Sequence, residues 1–368
     1  MYLRYINIIF SLLLLTTVNS NAQKNKKIDS CVGHKSCCSS HVSNRFESKN
    51  IIKPTKDKGE MIWIAGGEFM MGADNNQARK DEYPKHKVYL KGFYIQSTEV
   101  TNKQFAAFVK ATGYITTAEK DVDWEQLKKQ LKPGTPKPDS ETLKAASLVF
   151  VPSKEEIDLG DYSQWWQWTH GANWKHPQGP ESNIIGKDNY PVVQVSWDDA
   201  KAYCKWAGYR LPTEAEWEFA ARGGLINKIY TWGDEPVDSG KPRCNYWQGK
   251  FPYQNDLKDS FYGLAPVKSF PSNGYGLYDM SGNVWEWCSD FYHHNYYTLF
   301  VNGKVAVNPK GPETSLDPDE PDTPKRVIRG GSFLCSEGYC SGYRCSSRMK
   351  TSPDSGMEHL GFRCVVDK

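Results

Sequence analysis

The fold is decided by the stretch Gly-Tyr-Arg-Leu-Pro-Thr-Glu-Ala-Glu-Trp-Glu, which spans residues 208–218 of a 368-residue chain. Residues 212–221 predict a helix. Thr213 and Glu216 have the spacing of a capping box, in which each side chain bonds to the backbone N–H of the other residue. The stretch therefore predicts a helix whose first turn is fixed directly after a tight connection.

Two more helices are predicted upstream of this stretch. Residues 197–207 form an amphipathic pattern, with Ser196 as the N-cap and Gly208 as the C-terminal stop. Residues 99–110 predict another helix, in which Thr101 caps the first turn.

Strands are predicted on both sides of these helices. Residues 61–72 predict a short hairpin around Gly66 and Gly67, and residues 88–95 predict a further strand. Short strands and turns dominate beyond residue 225. The sequence thus describes a protein with few helices, many short strands and extensive loops.

The composition indicates a large globular unit rich in turns. The chain contains 13 Trp, 21 Tyr, 30 Gly and 21 Pro, so aromatic side chains anchor the core and turns connect its elements. The formal net charge of +3 gives no nucleic-acid-binding footprint. The sequence contains no internal repeat, no coiled-coil heptad pattern and no glycine motif for phosphates or dinucleotides.

Residues 1–22 have the pattern of a secretory signal peptide. Arg4 precedes a short apolar run over residues 8–17, and small residues end at Ala22. A membrane-spanning helix needs about 20 apolar residues, so this run is too short, and an uncleaved anchor is the alternative. We expect an exported protein, periplasmic or secreted, without stable membrane insertion.

Residues 23–59 predict a flexible N-terminal arm that is rich in Lys and Ser and contains Cys31, Cys37 and Cys38. Two interpretations of these cysteines stay open. They belong to a tail in which they pair locally, or they deliver metal or exchange thiols with a partner.

A pair of cysteines near the C-terminus carries the strongest chemical signal. Cys335 and Cys340 lie in the glycine-rich stretch 329–344, whose backbone can bend so that both sulfurs face one point. Paired thiolates are soft ligands suited to Cu(I) and to redox chemistry. The alternative is a structural disulfide, the more common state of cysteines in exported proteins.

Three arginines close to this pair in sequence are expected to add positive charge, which favours thiolate over thiol. They are Arg329, Arg344 and Arg348.

Several long motifs together resemble the formylglycine-generating enzymes, also called sulfatase-modifying factors. The resemblance extends from about residue 60 to the C-terminus, so the domain is expected over residues 60–368. It implies an α+β fold with little regular secondary structure, a single compact domain related to C-type lectin-like folds. The motifs occupy residues 173–180, 191–200, 208–218, 245–249, 273–287, 308–312, 329–332 and 360–364.

The resemblance also implies an activity. Such enzymes convert the cysteine of a Cys-x-Pro-x-Arg segment in an unfolded or nascent sulfatase polypeptide into Cα-formylglycine, using molecular oxygen and Cu(I). Cys335 and Cys340 would hold Cu(I), and the substrate thiol would add as a third sulfur ligand. Ser332 would orient or protonate the oxygen species, and Trp285 would wall the pocket. The alternatives are a turn hydroxyl for Ser332 and a core aromatic for Trp285.

Two structural calcium sites are implied by position in the family, although acidic turn residues in such loops are also common as solvated caps. The first site comprises Asp279, the carbonyls of Gly282 and Val284, and Glu286. The second comprises Asn245, Asp259 and the carbonyls of Tyr246 and Phe261.

The resemblance further implies a disulfide between Cys204 and Cys364, which closes a very long loop. Cys345 is either a buried thiol or the partner of Cys244 or Cys288, and the sequence does not choose between them.

Two other functions compete with this interpretation. A non-catalytic secreted binding or scaffold protein could use the same fold, and an inert, buried Cys335–Cys340 disulfide would support it. An iron-dependent sulfur–carbon bond-forming enzyme would need a His-rich site. The sequence has eight His and no His-x₃-His pair on a predicted helix. Oligomeric state is not predicted.

Overall fold

The computed structural model describes residues 61–131, 134–301 and 303–368, and over these residues it contains four small sheets and four α-helices. The first six strands are β1 (Met61–Ile64), β2 (Gly67–Met71), β3 (His86–Leu90), β4 (Phe93–Gln96), β5 (Ala146–Phe150) and β6 (Trp166–His170). The other six are β7 (Trp285–Phe291), β8 (Ala306–Val307), β9 (Arg326–Arg329), β10 (Arg348–Thr351), β11 (Leu360–Gly361) and β12 (Val365–Asp367). The strand orders in the four sheets are β1-β4-β12, β10-β9-β7-β11, β2-β3-β8 and β5-β6. The helices are α1 (Asn102–Thr112), α2 (Trp124–Leu127), α3 (Trp197–Ala207) and α4 (Glu214–Arg222).

The three predicted long helices are confirmed, together with their caps. Ser196 Oγ accepts from Asp199 N–H at the start of α3, and Gly208 ends that helix with a left-handed φ of 77°. The capping box of α4 is present, since Thr213 N–H donates to Glu216 Oε2 at 2.9 Å. Local sequence chemistry therefore fixes where these helices begin and end.

The predicted hairpin over residues 61–72 is wrong. β1 and β2 do not pair with each other: β1 pairs with β4, and β2 pairs with β3. A two-residue type I′ turn requires a positive φ at both central residues, and Gly66 does not have one. The chain instead passes at Gly66 from the sheet that contains β1 into the sheet that contains β2 and β3. At Gly92 it passes back into the first sheet, where it forms β4. A side chain at Gly66 would meet the backbone of Leu90 and Gly92.

The middle of the molecule is apolar and strongly aromatic. Phe105 of α1 stacks on Tyr203 of α3 and meets Trp174 and Phe362 edge-on, so the two helices share one buried cluster. A separate cluster lies around Trp217 of α4 and the sheet that contains β2 and β3. The sheet that contains β7 and β9 contributes residues to both clusters, and its strands β7, β9 and β10 also contribute to the wall of the candidate site.

The three arginines near the cysteine pair are buried in ion pairs, and their expected effect on the thiolates stays a prediction. Each lies 2.6–2.8 Å from a carboxylate. The pairs are Arg329 with Glu214 and Glu218, Arg344 with Glu82, and Arg348 with Glu214.

No helix in the described ranges is long and apolar enough to cross a membrane. The predicted signal peptide (residues 1–22) and the arm with Cys31, Cys37 and Cys38 lie outside the described residues. Export and the role of the arm therefore stay predictions.

Candidate active site

A cavity of about 760 Å³ brings the predicted catalytic residues together. Cys335, Cys340, Ser332 and Trp285 all line it, although they come from two distant segments of the chain. Much of the remaining wall is aromatic, which suits an apolar peptide segment. Its aromatic residues are Trp124, Tyr162, Trp165, Trp166, Trp168, Phe251 and Tyr339.

The loop that follows β9 positions the two cysteines. Cys335 N–H donates to Ser332 O at 2.9 Å, and Cys340 N–H donates to Ser336 O at 3.2 Å, so both residues sit in tight turns. A side chain at Gly342 would meet the Trp285 ring at 2.6 Å and Cys335 Sγ at 2.8 Å. Glycine at this position therefore lets the indole and the sulfur lie side by side.

The structure joins Cys335 and Cys340 in a disulfide. This is the state that the sequence left as the alternative to a pair of thiolates. Both residues are buried, yet both line the cavity. A disulfide offers no thiolate to a metal, so this pair holds Cu(I) only after reduction by two electrons. The donor set then fits the ion, because two adjacent sulfurs are soft ligands.

Ser332 lies directly beside the cysteine pair. Its backbone N–H faces Cys335 Sγ at 3.4 Å, and its Oγ lies 3.0 Å from Nδ1 of His359. Leu334 N–H also donates to Ser332 Oγ, at 3.2 Å. The hydroxyl thus accepts a backbone hydrogen bond within the turn, as its alternative interpretation required. It also lies within hydrogen-bond distance of the His359 side chain on the cavity wall.

His359 is a site residue that the sequence analysis missed. It lines the cavity, and its ring meets Trp166 at a centroid distance of 4.8 Å. Burial lowers the pKa of His359 to about 3, so its imidazole is neutral at physiological pH. The clue in the sequence was its place two residues before the Gly-Phe-Arg motif, although a single histidine there carries no pattern of its own.

Arg79 is a second residue that the sequence did not indicate. Its Nη2 donates to the carbonyl of Cys340 at 2.6 Å, and its Nη1 lies 3.7 Å from Met349 Sδ. The contact joins residues 261 positions apart in the chain. It holds the second cysteine of the pair from the N-terminal side of the fold.

The first predicted calcium loop contains an excess of buried negative charge. Asp279 and Glu286 lie near a third carboxylate, Glu99, and Arg363 forms the ion pair with Glu286 at 2.7 Å. Burial and then Asp279 raise the pKa of Glu99 well above its usual range, and burial raises that of Asp279 to about 6. Glu99 Oε2 is buried and no donor reaches it among the described residues.

These observations fit a cation at the first site. Ionised carboxylates this close need a proton or a positive charge between them, and Ca²⁺ prefers carboxylate and carbonyl oxygens. Within the described ranges, no three Asp, Glu, His or Cys side chains form a complete metal site by themselves. The carbonyls of Gly282 and Val284 would therefore have to complete the ligand set. Glu99 is the member that the sequence analysis missed.

The second predicted calcium loop packs directly against the first. Asn283 N–H donates to Asn245 O at 2.9 Å, and Asn245 Oδ1 is buried without a hydrogen-bond partner. Gln248 Nε2 donates to both Tyr246 O and Asp259 Oδ2, at 2.5 and 2.6 Å. Two of the predicted ligands thus already have a donor, and Phe261 donates its N–H to Asp259 Oδ1 at 2.9 Å. The fit to a cation is weaker here than at the first site.

The remaining cysteines in the described ranges are free and buried. Cys204 and Cys364 are adjacent, with their sulfur atoms 3.2 Å apart, but no bond joins them in this structure. Their predicted disulfide therefore stays a prediction. Cys345 is a buried thiol in this structure, and no bond joins it to Cys244 or Cys288.

The fold and the site define a loop-rich α+β protein with a cysteine pair in the wall of an aromatic cavity. The family model of the sulfatase-modifying factor enzyme 1-like domain matches residues 48–368. The chain therefore belongs to the family of formylglycine-generating enzymes.

Individual relatives agree with this assignment. The formylglycine-generating enzyme of Mus musculus is 44% identical over 309 residues, which is 84% of this chain and 75% of the relative. That of Streptomyces coelicolor is 43% identical over 86% of this chain and 91% of its own length. A mouse protein named inactive Cα-formylglycine-generating enzyme 2 is 38% identical over 83% and 85% of the two chains.

Among solved structures, PvdO from Pseudomonas aeruginosa superposes with a TM-score of 0.53 at 25% identity, covering 84% of this chain and 94% of that one. The predicted α+β fold class is confirmed. The predicted boundary at residue 60 is not tested by these matches.

Proposed function

We propose that this protein matures sulfatases, by converting the cysteine of a Cys-x-Pro-x-Arg segment into Cα-formylglycine with Cu(I) and O₂. The observation that carries the proposal is the Cys335–Cys340 pair in the wall of the 760 Å³ cavity, beside Ser332 and Trp285. The names of the relatives support sulfatase maturation. The metal, the oxidant and the substrate motif are parts of the proposal.

Reduced Cys335 and Cys340 would hold Cu(I) between two sulfurs and leave room for the thiol of the substrate. Bound there, copper would supply the oxygen chemistry that no ordinary side chain provides. The conversion of CH₂–SH to CHO withdraws two electrons from the carbon and releases the sulfur as hydrogen sulfide. O₂ is the proposed acceptor. Its reduction takes four electrons, so that one oxygen atom enters the aldehyde and the other leaves as water, and two molecules of an external thiol supply the remaining two electrons as they form a disulfide.

The protein's own residues would bind and orient the substrate. The aromatic wall excludes water from the reacting cysteine and packs against the peptide. Trp285 lies against Gly342 next to Cys335 Sγ, where it confines the sulfur on one side. Ser332 points its backbone N–H at the same sulfur, at 3.4 Å, and also lines the cavity.

We also propose that Ca²⁺ binds the first acidic loop through Asp279, Glu286 and the carbonyls of Gly282 and Val284. The buried, unpartnered Glu99 Oε2 atom supports this site. A second ion at Asn245 and Asp259 is supported by the unpartnered Asn245 Oδ1 atom. We further propose export of the mature protein, so that it meets its substrate outside the cytosol.

The test is mass spectrometry of a peptide that contains Cys-x-Pro-x-Arg, incubated in air with reduced, Cu(I)-loaded protein. We expect conversion to the aldehyde. Cys335→Ser and Cys340→Ser should each abolish turnover, because each removes one of the two sulfur ligands. Cys288→Ala is the matched control, since Cys288 is a buried free thiol outside the cavity lining.

A peptide of unchanged mass with fully loaded wild-type protein would contradict the proposal. That result would favour the scaffold alternative, which the buried disulfide and the relative named inactive both support. Unchanged turnover in both serine variants would exclude the cysteine pair as the copper site.

A further inference from the structure

A second large cavity lies outside the candidate active site. Its volume is about 960 Å³, and it shares no lining residue with the cavity that contains Cys335 and Cys340. Its walls come from α3, from the start of β9 and from residues 90–92 and 308–310, which are far apart in the chain. Small-molecule sites usually have volumes of about 300–1,000 Å³, so this cavity is large enough for a ligand of its own.

The charged side chains on the wall of this second cavity are mostly cationic. Seven Lys and Arg side chains line it, against the two carboxylates of Glu216 and Asp367. Both carboxylates accept from Arg210, at 2.7 and 2.6 Å. The other six cations form no ion pair with a carboxylate of the described residues, which leaves the wall positively charged. These six are Lys91, Lys201, Lys205, Lys310, Arg326 and Lys368.

Arg326 is a fixed cation in this wall. Its guanidinium carbon lies 3.5 Å from the centre of the Phe291 ring and 3.8 Å from that of the Trp197 ring. Nη1 donates to Ser289 O at 2.7 Å, whereas Nε is buried and no acceptor reaches it among the described residues. Burial lowers the pKa of Arg326, and the carboxylates of more distant aspartates offset that shift only in part. An anion at the wall would compensate this charge.

The unpaired cations come from four separate segments. Lys201 and Lys205 lie one turn apart on α3, Lys91 directly follows β3, Lys310 follows β8, and Arg326 begins β9. A sulfate or phosphate ester offers three acceptor oxygens that point in different directions, whereas a carboxylate offers two in one plane. Several ester groups on one small molecule would therefore match donors on several walls.

We propose that this second cavity binds a small polyanion that carries two or more sulfate or phosphate ester groups. The ammonium groups of the four lysines and the guanidinium of Arg326 form charge-assisted hydrogen bonds to the ester oxygens. The aliphatic stems of the lysines and the edge of Trp197 supply the apolar part of the wall. The site is separate from the cysteine pair, so this inference does not depend on sulfatase maturation.

Isothermal titration calorimetry of the full-length protein tests the proposal with two probes. Inositol hexakisphosphate carries phosphate esters and sucrose octasulfate carries sulfate esters, so the tighter probe shows which ester the site prefers. At least one should bind, and its affinity should fall about tenfold or more as NaCl rises from about 50 to about 500 mM, because salt screens exposed charges. Inorganic phosphate should bind at least about 100-fold more weakly, because it offers one anionic group instead of several.

Variants of the wall locate the binding. Arg326→Gln should weaken the tighter probe about tenfold or more, because it removes a charged donor. Lys201→Gln and Lys205→Gln together should have a similar effect. Both lysines are exposed, so the double variant keeps the core and decides the question if Arg326→Gln does not fold. Lys103→Gln is the matched control, since Lys103 is an exposed helical lysine that lines neither cavity.

Several results would overturn the proposal. The first is that neither probe binds to the wild type, and the second is that the folded wall variants bind as tightly as the wild type does. Binding of a hexaglutamate peptide alone, or of phosphatidylserine vesicles alone, would also overturn it, because the surface would then serve an acidic peptide or a membrane. Cys335→Ser should bind the probe like the wild type, and a loss of binding there would move the anion to the active-site cavity. A protein that binds the probe but makes no formylglycine would refute the proposed function and leave this inference standing.

Discussion

Two buried charge clusters, one containing Arg329 of β9 and the other containing Glu286 of β7, differ in sign. The arginine-rich cluster has three guanidinium groups for two carboxylates, and the acid-rich cluster has one guanidinium for three carboxylates. The arginine-rich cluster comprises Glu214, Glu218, Arg222, Arg329 and Arg348. The acid-rich cluster comprises Glu99, Asp279, Glu286 and Arg363.

The pKa values of the two clusters move in opposite directions. Burial opposes ionisation of Glu214, but Arg348 and Arg329 hold its pKa below its usual value. In the acid-rich cluster burial wins, and the pKa values of Glu99 and Asp279 rise. The arginine-rich cluster therefore keeps its carboxylates ionised without an added proton or metal ion. The acid-rich cluster is stable at neutral pH only with a proton or a cation among its carboxylates.

Breaking the arginine-rich cluster should have the largest effect on stability. Arg329→Met leaves Glu214 and Glu218 each without one partner in a buried site. We expect a loss of about 3–5 kcal/mol in the free energy of unfolding, measured by urea denaturation. Glu125→Gln is the control, because its pair with Lys128 is exposed and should contribute less than about 1 kcal/mol. Equal losses in the two variants would show that burial of the cluster does not matter.

Neutralising Glu99 in the acid-rich cluster should have opposite effects on the stability of the protein without Ca²⁺ and on its stabilisation by Ca²⁺. At 100 times its dissociation constant, Ca²⁺ should raise the free energy of unfolding by about 2.7 kcal/mol, and a chelator should remove that gain. Glu99→Gln should stabilise the chelated protein, because it removes the cost of holding a proton on a buried carboxyl group at neutral pH, and should weaken the response to Ca²⁺.

Thermal unfolding of the wild type and of Glu99→Gln, each with and without Ca²⁺, measures whether the effect of the substitution on stability changes sign when Ca²⁺ is added. A Glu99→Gln effect of the same sign in both conditions would mean that no cation enters the cluster.

Local rules predicted the helices, because capping groups such as Ser196 and Thr213 act within one turn. The same rules failed for residues 61–72, where an apolar run with two glycines suggested a hairpin. The strands instead pair with residues 86–96, and only long-range packing decides that. The ion pairs of Arg329 are likewise not visible in the sequence, because this residue lies close to Cys335 in the chain but pairs with carboxylates of α4.

The candidate site was predicted where a motif spans its residues and missed where the fold brings single residues together. Cys335, Cys340 and Ser332 belong to one loop, so the sequence shows them as a group. His359, Arg79 and Glu99 reach the sites from separate segments, and none has a local pattern. Their roles follow from distances that the sequence does not contain.

The smallest expected effect concerns Asp290, which lies at the edge of the arginine-rich cluster and has no arginine partner of its own. Its Oδ2 accepts from Glu214 N–H at 3.0 Å and from Ser289 Oγ at 2.9 Å. Burial and then Glu214 raise the pKa of Asp290 to about 7, from 3.8. The folded protein therefore holds a proton that the unfolded chain releases. The resulting stability is fully present below about pH 4 and is lost as the pH rises through about 7.

Asp290→Asn removes this titration and keeps an oxygen acceptor. Relative to the wild type, the variant should gain about 1–2 kcal/mol in the free energy of unfolding between pH 5.5 and 8.0, measured by urea denaturation at both values. Glu358, whose pKa burial raises to about 7, titrates in the same window in both proteins and cancels in the difference. A difference that is constant with pH would place Asp290 among the compensated groups of the cluster. The arginines would then lower the pKa of a carboxyl group with which they form no ion pair, and the difference in pKa between the two clusters would be larger.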